Sequence, residues 1–195
     1  MTEFTALDIE TTGLSPLRGG IVEIAALRFC LDGSTESFQS LVDPGCSIPY
    51  SAARIHGITT AMVCGQPRAE EVVRRLVAFV GSSPLVLHNA RFDLGFLNPV
   101  LRAQGLEWSS CAVFDTLRLS RRAFPGLPGY SLEKLSRFFD FESGGHHRAL
   151  ADCRYCGLLF QRVLQKLNRG AGLADFAKNY AEPEIILDRS RSRFD

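Results

Sequence analysis

The sequence has no excess of charge of either sign. It contains 22 basic and 21 acidic residues, which gives a formal net charge of +1 at pH 7. A protein that holds a long duplex by electrostatics alone needs a strong positive field. The composition therefore argues against a histone-like or polybasic nucleic-acid binder.

Long apolar runs are also missing. No run approaches the roughly 20 residues needed to cross a bilayer. The opening MTEFTALDIE places acids where a signal peptide needs a basic and then an apolar stretch. We therefore expect a soluble, cytoplasmic protein with no membrane partner. Its six cysteines are spread through a chain large enough to fold on its own core, which favours free thiols over three disulfides.

Internal repeats and low-complexity segments are absent as well. The 195 residues, 46% of them hydrophobic, suit one compact domain better than two. We expect this domain to cover residues 1–170. The remaining residues, 171–195, are expected to hold one short helix and a charged, flexible tail.

The hydrophobic pattern predicts an α/β domain. Apolar and β-branched segments predict an opening meander of three strands, residues 4–9, 21–31 and 37–42. A loop carrying RIHGIT should follow. The next segments predict a helix at 68–80, a strand at 84–87, a helix from residue 90 and a strand at 112–114. Pro99 should bend or end the helix that begins at residue 90. Residues beyond 116 predict helices only, at 117–123, 131–139, 148–167 and 173–180. This order indicates a mixed sheet.

Asp8 and Glu10 are the first candidates for chemistry. They are two residues apart on a predicted strand, so both carboxylates point to the same face. Neighbouring anions repel each other, and a divalent cation bound by oxygen ligands is the simplest compensation. A strand that ends in solvent is the alternative. The next four residues offer hydroxyls, backbone N–H groups and close approach to a ligand, or an ordinary turn: Thr11, Thr12, Gly13 and Leu14.

The segment HNARFD starts at residue 88, where a predicted buried strand ends. In α/β sheets this is the edge that binds ligands. Asn89 is in position to cap the next helix, and Asp93 lies one turn further on. A lone acid in the first turn is also a common partner of the helix dipole. Phe92 either stacks on a base or belongs to the core.

The segment HHRALAD follows two glycines and contains His147 and Asp152. These two residues are five positions apart, about 500° of helix rotation, so they cannot share one helix face. We therefore predict His147 in the loop and Asp152 on the helix, both directed at one cleft. The alternatives are a solvated histidine, and an aspartate paired with Arg148 or Arg154.

Together and in this order, DIETTGL, HNARFD and HHRALAD resemble the motifs of the DEDDh 3′–5′ exonucleases. This family includes the proofreading subunit of bacterial replicative DNA polymerases. RIHGIT, VFDT (113–116) and YSLEKL (130–135) are similar to the same family, so the resemblance covers residues 4–167. Every signature position is matched: Asp8, Glu10, Asp93, His147 and Asp152.

The resemblance implies an RNase H-like fold, with a five-stranded mixed β-sheet flanked by α-helices. It implies two Mg²⁺ or Mn²⁺ ions on the four acids, one activating the attacking water and one stabilising the leaving 3′ oxygen, with His147 as general base. Oxygen ligands favour these ions over zinc. The substrate contacts it implies include Thr11, Thr12, Gly13, Leu14, His56, Asn89 and Phe92.

The leading hypothesis is an enzyme that releases nucleoside monophosphates from 3′ ends of single-stranded DNA in proofreading or repair, with a DNA polymerase subunit as a candidate partner. An RNA-trimming exonuclease of the same family is a second hypothesis, because these motifs do not determine the sugar. The third is an inactive exonuclease-like module that binds a partner. The intact acids and His147 argue against it, since a scaffold has no need of four mutually repelling carboxylates.

Overall fold

The fold is known from a computed structural model that describes residues 3–109, 112–141, 148–168 and 172–182. His147 and the predicted tail beyond residue 182 lie outside these ranges. No helix within the described residues is long and apolar enough to span a membrane. The five cysteines in these ranges are free thiols.

A five-stranded mixed sheet forms the centre of the molecule, as predicted. Its strands are β1 (Glu3–Thr11), β2 (Ile21–Cys30), β3 (Thr35–Leu41), β4 (Leu85–Leu87) and β5 (Val113–Asp115). The spatial order is β3-β2-β1-β4-β5. The pairs β1–β2 and β2–β3 are antiparallel, whereas β1–β4 and β4–β5 are parallel. The long strand β1 therefore lies in the middle of the sheet.

The helices are α1 (Tyr50–His56), α2 (Thr60–Val63), α3 (Ala69–Val80), α4 (Ala90–Ala103), α5 (Thr116–Ala123), α6 (Leu132–Phe138), α7 (Ala149–Leu167) and α8 (Leu173–Tyr180). The last six agree closely with the predicted helices, and α4 continues past Pro99. The loop predicted around RIHGIT is wrong, because α1 and α2 occupy part of it. Both are too short to show a periodic pattern. Helix α1 ends at His56 and is followed by Gly57, whose φ of 73° suits glycine.

Alternation along β1 places different side chains on the two faces of the sheet. Leu7 and Ile9 belong to the cluster under α3 and α4. Phe4 and Ala6 belong to the cluster under α5, α7 and α8, which also contains Cys153 and Phe160 of α7. Because side chains alternate with a period of two, Asp8 and Glu10 continue the Phe4 face toward α7.

The short C-terminal helix α8 packs on the same cluster. Its Phe176 is buried, and the ring centroid lies 5.6 Å from that of Phe114 and 6.2 Å from that of Phe160. The next residues continue along the sheet edge, where the backbone N–H of Glu182 donates to the carbonyl oxygen of Val113 at 2.8 Å. The described part of the C-terminal region therefore packs on the core and is hydrogen-bonded to the sheet.

Candidate active site

Three carboxylates predicted from separate motifs meet at the end of β1. Asp8 and Glu10 come from the strand, and Asp152 comes from the first turn of α7. One carboxylate oxygen from each of these residues lies within 4.8 Å of the other two. The structure thus brings the β1 acids and Asp152 together, and their roles as metal ligands and catalytic residues stay a prediction.

Asp93 joins the group from the neighbouring helix. It lies in the first turn of α4, is 3% exposed, and accepts a hydrogen bond from the backbone N–H of Ile9 at 3.2 Å. Ile9 stands between Asp8 and Glu10 on β1, so this bond places Asp93 beside the pair. Burial raises the pKa of Asp93 well above its usual range, and the charges of Asp115 and Glu10 add to the shift.

The electrostatics of the site oppose full ionisation without a cation. Burial raises the pKa of Asp8 well above its usual range, and four neighbouring carboxylates raise it further. Burial and the charges of Asp152 and Glu23 raise the pKa of Glu10 to about 8, although Arg148 opposes this shift. Clustered carboxylate oxygens whose charges raise one another's pKa fit a hard divalent cation. The donor set therefore suits a divalent metal.

Glu23 is a site neighbour that the motifs did not reveal. It lies on β2 opposite Glu10 and is completely buried. Its carboxylate accepts two hydrogen bonds from Arg148, from Nη2 at 2.8 Å and from Nε at 3.2 Å. It also accepts the backbone N–H of Ala149 at 3.1 Å and Gln39 Nε2 at 2.9 Å. The available signal was an acid within the apolar run IVEIAAL, at a position where a buried charge requires partners.

Glu23 is held in its charged form by these donors. Burial raises its pKa, but the hydrogen bonds from Arg148, Ala149 and Gln39 outweigh burial, and the net shift is downward. Two carboxylates that face each other across β1 and β2 thus differ in their proton affinity. Glu10 therefore keeps its proton to a higher pH than Glu23, whose charged form is stabilised by Arg148.

The prediction that the Asn89 side chain caps α4 is wrong. Asn89 occupies the N-cap position with a left-handed φ of 72°, and its side chain makes no capping hydrogen bond. Asp115 caps the helix instead, accepting the N–H groups of Asn89 and Ala90, each at 3.1 Å. The same carboxylate accepts the N–H of Leu117 at 2.9 Å and so also caps α5. Asparagine is among the few residues that tolerate this backbone conformation.

His88 of HNARFD connects this segment to VFDT and YSLEKL on the β4 side of the site. Its Nδ1 hydrogen-bonds with Thr116 Oγ1 at 3.0 Å, and its Nε2 hydrogen-bonds with the carbonyl oxygen of Tyr130 at 2.9 Å. Thr116 belongs to VFDT and Tyr130 to YSLEKL. Burial lowers the pKa of His88 below its usual value, which favours the neutral ring. These bonds join three segments that are far apart in sequence.

The residues after β1 form a compact turn. Thr11 Oγ1 donates to the carbonyl oxygen of Gly13 at 2.8 Å, and Thr12 Oγ1 accepts from the N–H of Gly20 at 2.9 Å. Both hydroxyls therefore stabilise the turn. The Leu14 side chain projects outward and is 88% exposed. Substrate contacts by these residues stay a prediction.

His56 and Phe92 have structural contacts of their own. His56 is buried, and its Nδ1 accepts the backbone N–H of Ile58 at 3.0 Å. Phe92 is half-buried against the α3 and α4 cluster, with its ring centroid 5.3 Å from that of Phe96. A role of either residue in binding a base remains a prediction.

The order of the sheet and the carboxylates at the end of its central strand together define a class of protein. That class is the RNase H-like 3′–5′ exonucleases, in which clustered acids hold divalent metal. The family model described as "Exonuclease" (RNase T) matches residues 5–160. The chain belongs to this exonuclease family, and the resemblance stated from its motifs is confirmed.

Similar proteins include subunits of replicative polymerases. The chain is 36% identical over 174 residues to the DNA polymerase III subunit epsilon of Aquifex aeolicus, covering 89% of this chain and 86% of that protein. It is 38% identical over 201 residues to the DNA polymerase III PolC-type of Halalkalibacterium halodurans, covering 97% of this chain. The match spans only 14% of the length of that PolC-type protein.

A solved structure supports the same assignment. Exonuclease X in complex with 5′ overhanging duplex DNA superimposes with a TM-score of 0.71 and is 32% identical in sequence. The superposition covers 90% of this chain and 98% of that one. The whole described domain, and not only the motif segments, therefore has the exonuclease architecture.

Proposed function

We propose that this protein is a metal-dependent 3′–5′ exonuclease that releases nucleoside monophosphates from single-stranded DNA ends during proofreading or repair. The observation that carries the proposal is the convergence of Asp8, Glu10 and Asp152, whose carboxylate oxygens lie within 4.8 Å of one another. The raised pKa of Asp8 supports it, since a cation would relieve the repulsion that causes the shift.

Four residues would hold two Mg²⁺ or Mn²⁺ ions: Asp8, Glu10, Asp93 and Asp152. The ions would supply a nucleophile at neutral pH and stabilise the charge on the leaving oxygen. The protein fixes the donors from three directions, since β1, α4 and α7 each contribute carboxylates. We assign the role of general base to His147 on the basis of its place in HHRALAD, five residues before Asp152.

DNA is the proposed substrate because of the proteins that the chain resembles. One is a subunit of DNA polymerase III, and another binds 5′ overhanging duplex DNA in its solved structure. By the same comparison, a replicative DNA polymerase subunit is the proposed partner. Cleavage of RNA by the same site is an outcome that the experiment must be able to detect.

The test uses DNA and RNA oligonucleotides of matched sequence, labelled at the 5′ end, with Mg²⁺, Mn²⁺ or EDTA. We expect stepwise shortening of the DNA from its 3′ end, no product in EDTA, and no product from an Asp8→Asn variant. Faster digestion of RNA would transfer the assignment to an exoribonuclease. If folded protein with Mn²⁺ cuts neither strand, the chain is an inactive partner-binding module.

A further inference from the structure

The contacts of Glu23 are concentrated at the N-terminus of α7. Glu23 lies on β2 among apolar neighbours, with no exposure of its side chain, whereas the Arg148 side chain is 45% exposed. Both carboxylate oxygens are bound by Arg148, in the fork geometry that gives directional as well as electrostatic interaction. The backbone N–H of Ala149 completes the arrangement at the first residue of α7.

The contacts of Glu23 secure the turn that carries Asp152. The carbonyl oxygen of Arg148 accepts the N–H of Ala151 at 2.8 Å and the N–H of Asp152 at 3.1 Å. Arg148 is therefore bonded through its side chain to β2 and through its backbone to the residue that bears the carboxylate. Glu23 is itself the register partner of Glu10 on β1. One continuous set of bonds thus joins the two strands to the start of α7.

Fold stability alone does not explain the pair. Replacing a buried ion pair by apolar residues of similar volume is often neutral or stabilising, since desolvation of the charges offsets their attraction. Glu23 also adds its negative charge to a site that is already acidic, and it raises the pKa of both Asp8 and Glu10. An arrangement with these costs is better explained by the geometry that it maintains.

We propose that Glu23 and Arg148 are positioning residues, whose forked ion pair holds the N-terminus of α7 so that Asp152 meets Asp8 and Glu10 at the metal site. The inference deepens the proposed function and rests on it. Outer residues that orient metal ligands typically contribute 10- to 100-fold to metal affinity or to activity. The pair should therefore affect metal affinity even when no substrate is present.

The decisive variant is Arg148→Lys, which retains the charge and loses the fork. If the pair positions Asp152, Arg148→Lys and Arg148→Gln should each weaken Mn²⁺ affinity about 10-fold or more and lower kcat by about 10- to 100-fold, with a small change in KM. If Arg148 acted only by its charge, Arg148→Lys would behave as wild type, and Arg148→Gln would bind Mn²⁺ more tightly because a repelling cation is gone.

The measurements are isothermal titration with Mn²⁺ and single-strand digestion, both well below the melting temperature of each variant. Arg154→Gln is the matched control, because Arg154 is exposed on the same helix and should give wild-type values. Glu23→Gln and the double variant with Arg148→Gln complete a mutant cycle, in which coupled effects on Mn²⁺ affinity are expected. Should Arg148→Gln fail to fold, Arg148→Lys still decides.

Two results overturn the inference. One is a wild-type Mn²⁺ affinity and kcat in Arg148→Lys. The other is a lowered melting temperature in the Arg148 and Glu23 variants whose Mn²⁺ affinity and kcat are unchanged. The failure of the proposed function has a different signature. In that case the wild type binds Mn²⁺, the Arg148 variants bind it more weakly, and none of them cuts any strand.

Discussion

Asp8 lies among four other carboxylates at the end of β1. Burial and the charges of Asp93, Asp152, Glu10 and Glu23 all raise its pKa. The buried residues on either side of it in the chain, Leu7 and Ile9, keep the strand in place. Function and stability therefore conflict at this position, as is common where charged groups are gathered for catalysis.

Replacing Asp8 by asparagine should abolish turnover and stabilise the metal-free protein. The variant loses a metal ligand and also the repulsion among the acids. We expect kcat to fall by at least about 10³-fold, because the metal contributes several kcal/mol to the transition state. In EDTA we expect the free energy of unfolding to rise by about 1–3 kcal/mol. Urea denaturation and digestion assays measure the two effects, and near-native activity in Mg²⁺ would contradict the assignment.

Glu10 makes a pH-dependent contribution of definite sign. Its pKa is raised from 4.5 to about 8 in the folded protein. A raised folded-state pKa contributes stability that is fully present below pH 4.5 and is lost as the pH rises to about 8. Metal-free protein should therefore become less stable between pH 5 and pH 8, and Glu10→Gln should reduce that loss. Urea midpoints in EDTA at several pH values test this; a wild-type midpoint that rises over the range contradicts it.

The general-base role of His147 is predicted from the sequence alone. His147→Ala should lower kcat by about 10²–10⁴-fold, as expected for the loss of a general base, with little change in Mn²⁺ affinity. The wild-type rate should rise with pH through the pKa of the His147 imidazole, because only the neutral ring can accept a proton. The variant should lose this rise on the acidic side of the pH–rate profile. A variant with the wild-type rate and pH profile would make His147 a bystander.

At the scale of elements, the Asp115 carboxylate caps the N-termini of both α4 and α5. Asp115 ends β5 and accepts N–H groups at the start of both helices. Because α4 carries Asp93 in its first turn, Asp115 also determines where one candidate metal ligand lies. A buried carboxylate that accepts hydrogen bonds from three backbone N–H groups caps the two helices and also fixes their N-termini relative to each other.

Asp115→Ala should destabilise the protein by about 2–4 kcal/mol, since it removes caps from two helices and leaves buried N–H groups without partners. Asp175→Ala is the matched control. Asp175 is exposed in the first turn of α8, and its replacement should change stability by less than about 0.5 kcal/mol. Chemical denaturation gives both values, and equal effects of the two substitutions would argue against the double cap.

On the scale of the whole molecule, the site is assembled from both faces of the sheet. Helix α7 covers the face that carries Asp8 and Glu10, while α4 packs on the opposite face and delivers Asp93 around the strand end. In the unfolded chain these ligands are separated by up to about 140 residues of sequence, so no preformed site exists there. Binding of the proposed metal would therefore be coupled to folding.

Divalent metal should stabilise the protein by RT ln(1 + [M]/Kd), which is about 2.7 kcal/mol at a concentration of 100 Kd. We expect Kd in the millimolar range without substrate, because phosphate oxygens would complete the coordination. Melting temperature measured against Mn²⁺ concentration tests this, with Asp8→Asn as the control that should lose the effect. A wild-type melt that responds to neither Mn²⁺ nor EDTA would count against the site.

The local sequence determined the features that depend on short-range patterns. Alternation predicted that Asp8 and Glu10 share a face, and helical spacing predicted α7 with Asp152 near its start. The ordered motifs identified the family. These inferences succeed because periodicity and motif spacing act within a few residues, where chain geometry alone dictates direction.

Only the tertiary structure decided which groups satisfy the buried charges and helix ends. Asp115 caps α4 across 25 and 26 positions of sequence, although Asn89 was the local candidate. Glu23 holds Arg148 across 125 positions, which no local pattern encodes. Buried polar groups take whichever partner the fold places within hydrogen-bond reach, so these partners were decided by packing rather than by neighbouring sequence.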